Sequence, residues 1–325
     1  PIITSLDKII LEDASPILSN LTEFDFNVTI PGLNDLDSSL SGLVTVKKIE
    51  DKIDCMKSKQ KPRRVAMIGS NGQRYLFLLK ANEDTRLDER VMQLFTFINT
   101  LTRRSPSRTL PLKKKLNITT YDVIPLTNEI GLIGWVPNSS TISQKIIQYR
   151  KKFDIKIDSE IERAIKFAGG TIDKYENLPL NRRVEAFKQG FKTTAADDLS
   201  KILFLEATSS EHWLQRRTNY TTSLVMTSIV GYIIGLGDRH TNNIMMNAKT
   251  AKLGHIDFGD CFEVAINRSY RPEKVPFRLT RIFVRALEVS RIEGTFRCSC
   301  ENLMKLLRRN SDQISGLLNV FLYDP

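Results

Sequence analysis

The sequence predicts an α+β chain of two lobes, a small β-rich one followed by a larger, mainly helical one. Three observations predict it. Val44–Lys80 alternates in the manner of strands. Asp84–Thr102 then turns to a helical period, with Leu87, Val91, Leu94, Phe95, Ile98 and Leu101 on one face. Further on, Leu224–Leu236 is an apolar run that suits a buried core helix, and from Thr280 the chain reads as amphipathic helix to its end. A length of 325 residues is enough for two lobes with separate cores.

Composition narrows the class. A hydrophobic content of 41% and a charged content of 26% are ordinary for a globular protein. No signal peptide is expected, because Pro1–Ser15 lacks a basic start followed by an apolar block. No transmembrane segment is expected either, since Leu224–Leu236 is too short to span a bilayer. Cys55, Cys261, Cys298 and Cys300 fit neither a zinc nor a disulfide framework. The net charge of +11 invites a nucleic-acid reading. Its placement argues against one: the basic clusters are scattered, and no nucleic-acid-binding signature accompanies them.

The elements follow in order. Residues 1–43 read as an N-terminal extension, weakly periodic. Arg64–Ile68 and Tyr75–Leu79 flank Gly69-Ser-Asn-Gly72, where Asn71-Gly72 predicts a type I′ hairpin turn with positive φ at both residues. Lys80 closes the second strand. Asp88 sits one turn into the next helix, bordering its buried face. Arg103–Lys115 carries six basic residues and no acid and reads as a solvated surface loop. Tyr121–Leu126 is the next strand, followed by Gly131-Leu-Ile-Gly-Trp-Val-Pro137. Lys151–Gly190 reads as helices with a polar break at Asp173–Pro179.

The segment GLGDRHTNNIMMNAKTAKLGHIDFGD, Gly235–Asp260, carries the chemistry. Asn243–Met246 and Leu253–Ile256 read as strands joined by a polar turn at Asn247–Lys252. Paired as a hairpin, they bring Asn243 and Asp257 to one point. Two oxygen ligands suffice for Mg²⁺ when phosphates and water supply the rest. Asp238, just upstream, can accept a proton from an attacking hydroxyl. This is the layout of phosphoryl transfer in protein kinases.

The inverted order Asp238-Arg239-His240, with Gly-Leu-Gly before it and His255-Ile-Asp-Phe-Gly-Asp after it, resembles the phosphatidylinositol-kinase-related protein kinases. DERVMQLF (88–95), GLIGWVP (131–137), RRTNYT (216–221) and PEKVPFRLTR (272–281) resemble the target-of-rapamycin group of that family. The DNA-damage and nonsense-mediated-decay kinases share the catalytic words without RRTNYT and DERVMQLF together. The resemblance runs from about Ser15 to Pro325.

The resemblance implies a bilobal protein-kinase-like fold, with the N-lobe at 44–134, the C-lobe at 135–325 and the hinge near 134–137. It implies ATP with Mg²⁺, or alternatively Mn²⁺. Asp238 would be the catalytic base and His240 a donor to the transferring phosphoryl. Asn243 and Asp257 would hold metal. Lys80 would position phosphates while paired with Asp88, with Glu83 a second carboxylate nearby. The phosphate loop maps to Met56–Pro62, where Met56 and Ser58 would meet the nucleotide; by itself this stretch reads equally as a basic surface turn. Trp135 and Val136 would hold adenine, Met245 and Ile256 would cover its other face, and Tyr121 would form the back of the pocket. Asp257 to about Arg278 would be the activation loop, with Phe277 and Leu279 the floor of a peptide groove. Protein substrates, a multiprotein complex and a β-propeller subunit at about 151–190 are implied partners. The implied location is cytoplasmic, with endomembrane surfaces and the nucleus as alternatives.

Two rivals share the core chemistry: a phosphatidylinositol kinase and a non-catalytic scaffold of the same superfamily. Lipid kinases tend to place a basic cluster soon after the Asp-Phe-Gly, whereas Arg268, Arg271 and Lys274 come well after it. A scaffold would be expected to lose the metal ligands, and these are present. Thr241-Asn242 stands where the family has Pro-Ser, so only spacing selects Asn243 over Asn242 as ligand. The ending at Phe321–Pro325 is expected to be a truncation, because family members continue into further helices.

Overall fold

In the computed structural model the described residues are 8–20, 28–33, 43–56, 60–105, 116–157, 159–167, 169, 178–192, 194–269 and 272–323. Seven described strands make one antiparallel sheet: β1 (Lys8–Ile10), β2 (Val46–Ile49), β3 (Lys52–Cys55), β4 (Arg63–Gly69), β5 (Arg74–Ala81), β6 (Val123–Thr127) and β7 (Ile130–Gly134). The order is β1-β3-β4-β5-β7-β6, with β2 also paired to β4. Lys8–Ile10, expected to be part of an extension, adds an edge strand opposite Lys52–Asp54. The short helices α1 (Leu11–Ala14) and α2 (Pro16–Asn20) follow it.

The β4–β5 hairpin forms where Asn71-Gly72 predicts it, but with another turn. Gly72 has φ +75°, while Asn71 is not in the left-handed region. The Gly72 N–H donates to the Gly69 carbonyl at 2.9 Å, and the Gly69 N–H donates to the Gln73 carbonyl at 2.9 Å. A wider loop with one left-handed glycine replaces the two-residue type I′ turn. The Asn71 side chain is occupied instead, its Oδ1 accepting the Gln73 N–H at 3.0 Å.

Helix α3 (Arg86–Arg104) begins two residues after the expected start. Asp84 stays outside the helix and accepts the Arg86 N–H at 2.9 Å, a terminal bond that a carboxylate makes well. The buried face, Val91, Leu94, Phe95 and Ile98, belongs to the same apolar core as the second lobe. The small lobe keeps two lesser clusters, one around Ile30, Val46, Phe77 and Leu132 and one around Leu11, Ile53 and Val65. Helix α3 therefore couples the small lobe to the main core.

After β7 the chain passes through Trp135–Asn138 into β8 (Ser139–Thr141) and helix α4 (Ile142–Lys152). Thr141 and Gln144 form a reciprocal capping box that starts α4. Helices α5 (Ser159–Phe167), α6 (Leu180–Lys192) and α7 (Asp198–Leu205) precede the long α8 (Ser210–Ile233). Every residue of α8 from Tyr220 to Gly231 is buried, which marks the central helix of the lobe. Four of its hydroxyls bond within the helix: Thr221, Thr222, Ser223 and Thr227 each donate to the carbonyl four residues back. Gly235, with φ +56°, ends the run and turns the chain toward the catalytic segment.

The expected continuous helix beyond Thr280 is broken. Helix α9 (Arg281–Arg285) gives way to an irregular hook, after which α10 (Arg297–Arg309) and α11 (Ser311–Tyr323) resume. In the hook Glu288 has φ +63° and Arg291 has φ +45° with ψ −128°.

Candidate active site

The catalytic segment pairs as expected. β9 (Ile244–Asn247) and β10 (Leu253–His255) are antiparallel, with Met246 opposite Leu253 and Ile244 opposite His255. Beyond the ladder, the Ile256 N–H donates to the Asn243 carbonyl at 3.1 Å. That bond holds Asn243 beside the strand end from which Asp257 emerges. The hairpin tip is clamped from α8. Buried Arg216 donates to the Ala248 carbonyl at 2.5 Å, Asn219 donates to the Thr250 carbonyl at 3.0 Å, and the Leu253 N–H donates to the Ser223 hydroxyl at 2.9 Å. The RRTNYT stretch thus supports the site structurally, and Tyr220 extends this support by donating to the Phe283 carbonyl at 3.0 Å.

Asp238 occupies the left-handed region, φ +55°, as does Asp257, φ +64°. Asn243 is turned inward and nearly buried. Its Nδ2 donates to the Asp238 carbonyl at 3.0 Å and lies 3.4 Å from the Asp238 carboxylate. Neighbouring Asn242 is exposed, and its backbone N–H donates to His240 Nδ1 at 3.2 Å. With Nδ1 accepting, a neutral His240 ring carries its proton on Nε2. Nε2 lies 3.7 Å from the Asp238 carboxylate.

The sequence assigns Arg239 no role, yet its side chain is tightly held. It is 6% exposed and donates to the carbonyls of Gly237 (2.6 Å), Ile256 (2.9 Å) and Asp257. Its guanidinium also lies 5.8 Å from the centre of the Phe258 ring. One cation therefore ties the Asp238 loop to the Asp-Phe-Gly segment. Burial and the Arg239 charge push the neighbouring His255 down to about 3, so it remains neutral. Glu273 was also missed; both of its carboxylate oxygens face the Asp238 N–H, at 3.1 and 3.3 Å. No sequence motif marks that contact, which crosses 35 residues.

On the small-lobe side the expected ion pair changes partner. Lys80 donates to Glu83 Oε1 at 2.8 Å, not to Asp88. Glu83 follows β5 closely enough to fold back over Lys80, whereas the Asp88 carboxylate accepts the Phe258 N–H at 3.1 Å. Burial works against the Lys80 charge, but the Glu83 hydrogen bond and the charges of Glu83, Asp88 and Asp257 outweigh it, so Lys80 is shifted up. Burial raises Asp88 to about 6, with the Lys80 charge pulling the other way. Phe258 is fully buried, edge-on to Phe95 of α3 at 5.5 Å. Helix α3 and the Asp-Phe-Gly segment are thus joined by an apolar contact and a hydrogen bond.

A cavity of about 100 Å³ opens between the hinge and the hairpin, and Tyr121, Val136, Met245 and Ile256 all line it. Tyr121 precedes β6 rather than opening it, and burial pushes its hydroxyl well above the ordinary tyrosine value. Trp135 does not join this cavity. It lines a separate depression with Leu76 and Pro137, and the Arg64 guanidinium lies 5.4 Å from its ring centre. The Trp135 N–H donates to the Leu76 carbonyl at 2.9 Å, which draws this residue toward β5. Met56 sits at the mouth of the β3–β4 loop, its N–H donating to the Pro62 carbonyl at 2.8 Å. Ser58, Arg271, residues 106–115 and most of the break at 173–179 lie outside the described residues.

Asn243 and Asp257 fit a divalent cation. The Asn243 amide gives its N–H to the Asp238 carbonyl, leaving Oδ1 as the free acceptor. The Asp257 carboxylate enters no hydrogen bond or ion pair among the described residues. No cluster of three or more His, Cys, Asp or Glu is placed to hold a metal among the described residues. A cation here would therefore draw its remaining ligands from phosphate oxygens and water.

A β-sheet lobe joined by a short hinge to a helical lobe, with these groups facing the junction, is the arrangement of a bilobal protein-kinase-like fold. Residues 74–325 match the family model described as phosphatidylinositol 3- and 4-kinase, and the chain belongs to that family. Within the family its likeness is to the target-of-rapamycin kinases. It is 46% identical over 323 residues to the serine/threonine-protein kinase TOR of Arabidopsis thaliana, covering 99% of this chain and 12% of that protein. It is 41% identical over 324 residues to the target of rapamycin homolog of Caenorhabditis elegans, covering 99% and 12%. The chain therefore spans about 12% of the length of these curated relatives. A solved structure, the FAT and kinase domain of CtTel1, superposes with a TM-score of 0.81 at 24% identity, over 99% of this chain and 22% of that one. That likeness establishes the α+β bilobal fold.

Proposed function

We propose that the chain is the catalytic domain of a serine/threonine protein kinase that transfers the γ-phosphate of ATP to protein hydroxyls in growth and nutrient signalling. The observation that carries the reading is the convergence of Asp238, Asn243 and Asp257 at one end of the β9–β10 hairpin. The Asp238 carboxylate accepts the proton of the attacking hydroxyl. The Nε2–H of His240 donates to the transferring phosphoryl oxygen, where negative charge develops. Lys80, kept cationic by Glu83, binds phosphate oxygens. Asn243 and Asp257 hold Mg²⁺ or Mn²⁺, which when bound neutralises phosphate charge. Tyr121, Val136, Met245 and Ile256 enclose the adenine, and Met56 opens the loop that would meet the phosphates.

Partners follow from the C-lobe surface. On α6, Leu180, Val184, Phe187 and Phe191 are exposed, which supports a protein subunit, of β-propeller type, docking near 151–190 within a larger complex. No helix among the described residues is long and apolar enough to cross a membrane. A cytoplasmic kinase that works at endomembrane surfaces or in the nucleus is the proposed setting.

The deciding experiment is phosphotransfer from Mg·ATP to a Ser/Thr peptide and to phosphoinositide vesicles in parallel. Peptide phosphorylation that disappears in Asp238→Ala supports the reading. Transfer to lipid alone would replace it with a lipid kinase, and nucleotide binding without any transfer would replace it with a scaffold.

A further inference from the structure

We infer that Glu273 is a positioning residue for Asp238, and that through it the activation segment sets the geometry of the catalytic loop. The inference rests on the kinase reading above. The left-handed backbone of Asp238 is uncommon for a residue with a side chain, so surrounding contacts must hold it. The contact on its own N–H is the Glu273 carboxylate, with both oxygens within 3.3 Å. A carboxylate accepting a backbone N–H makes a charge-assisted bond, stronger than a bond between neutral groups.

Glu273 is itself anchored. Its N–H donates to the Ala265 carbonyl at 3.0 Å, and Ala265 is buried. The same turn abuts Gly237, where an added Cβ would lie 2.1 Å from the Ala265 Cβ. The Gly237 N–H donates to the Asp260 carbonyl at 2.9 Å, and Asp260 pairs with Arg268. Two consecutive catalytic-loop N–H groups, those of Gly237 and Asp238, are thus satisfied by the segment that follows Asp-Phe-Gly. An activation segment in another arrangement would withdraw the Glu273 acceptor and leave Asp238 free to leave the left-handed region.

The test compares the intact chain with Glu273→Ala, Glu273→Met and Glu273→Gln. The methionine is close in side-chain volume, removes the acceptor together with the charge, and stands in should the alanine variant not fold. With a Ser/Thr peptide, Ala or Met is expected to lower kcat by about ten- to a hundredfold. KM for ATP and the affinity for a fluorescent ATP analogue should stay within about twofold, because Glu273 does not line the cavity proposed for the nucleotide. Gln, whose amide oxygen accepts the same N–H, should restore kcat to within about threefold. Amide hydrogen exchange across 234–240 should quicken about tenfold in Ala or Met but not in Gln. Unchanged kcat with unchanged exchange in the acceptor-less variants would overturn the inference, as would Gln as slow as Met. If the wild type transfers no phosphate to peptide, the kinase reading falls, while the exchange experiment still decides whether Glu273 holds Asp238.

Discussion

The two sides of the active cleft are built on different principles. On the C-lobe side, Asp238, Asn243 and Asp257 are tied together through main-chain groups: the Asn243 amide donates to the Asp238 carbonyl, the Ile256 N–H donates to the Asn243 carbonyl, and Arg239 donates to three further carbonyls. On the N-lobe side, Lys80, Glu83, Asp88 and Trp135 depend on which side chain reaches which partner across a sheet or from a helix. The first kind of site survives small changes of lobe position, because its geometry is carried by the chain itself. The second kind is adjustable, and there the expected contacts and the observed ones part company.

The largest effect should come from the backbone-built side. Asp238→Ala is expected to lower kcat for peptide phosphorylation by about a thousandfold or more, with the melting temperature little changed. Asp257→Ala should match it and in addition weaken the dependence of nucleotide binding on Mg²⁺. A folded Asp238→Ala variant that retains transfer would break the comparison at its root.

Removing the clamp tests the backbone argument through stability instead. Arg239→Leu leaves buried carbonyls without a donor and should cost about 3 kcal/mol in chemical denaturation. Arg239→Lys should recover only part of that loss, since an ammonium lacks the planar fork that spans several acceptors.

The adjustable side should respond in graded fashion. Lys80→Met is expected to reduce kcat about a hundredfold. Glu83→Gln should cost about tenfold, and more than Asp88→Asn, because Glu83 holds the ammonium. If Asp88→Asn proved the more damaging, the ion pair would be shown to switch partner when nucleotide binds.

Asp88 also carries a pH signature. Its folded-state value is raised to about 6 by burial, above the ordinary carboxylate value of 3.8. The proton on Asp88 therefore favours the fold. That contribution is complete below 3.8 and is lost as pH rises through about 6. Relative to wild type, Asp88→Asn should gain stability as pH rises from about 4 to about 7. A stability difference independent of pH over this window would contradict the burial argument.

The smallest effect lies outside the cleft. Arg291 adopts φ +45° and ψ −128°, a region that suits glycine. Arg291→Gly should stabilise the chain by about 1 kcal/mol in thermal unfolding without changing kcat.

The contrast also explains what the sequence made legible. The hairpin and the convergence of Asn243 and Asp257 could be read from strand period and spacing, because antiparallel pairing fixes which ends meet. Spacing alone selects Asn243 over Asn242 in the sequence; the structure adds that one amide is turned inward and the other is exposed. The apolar face of α3 was legible from its period, but its core partners lie in the other lobe. The Lys80 partner was not legible, because Glu83 and Asp88 are both within reach in sequence and only the start of α3 decides between them. Arg239 and Glu273 were hidden for a related reason: each acts through backbone groups of residues distant along the chain. The edge strand at Lys8–Ile10 was missed because three residues are too few to show a period.

The small C-lobe sheet ties the hinge to the β9–β10 hairpin. β8 leaves the hinge and pairs at once with β9, Thr141 opposite Met245, so the hinge exit and the catalytic hairpin are strands of one sheet. Met245, which lines the cavity, lies on β9, and Asn243 immediately precedes that strand. Any movement of one lobe against the other would carry Met245 and Asn243 together, and Lys80 and Glu83, on the β5 side, would be the groups displaced relative to them.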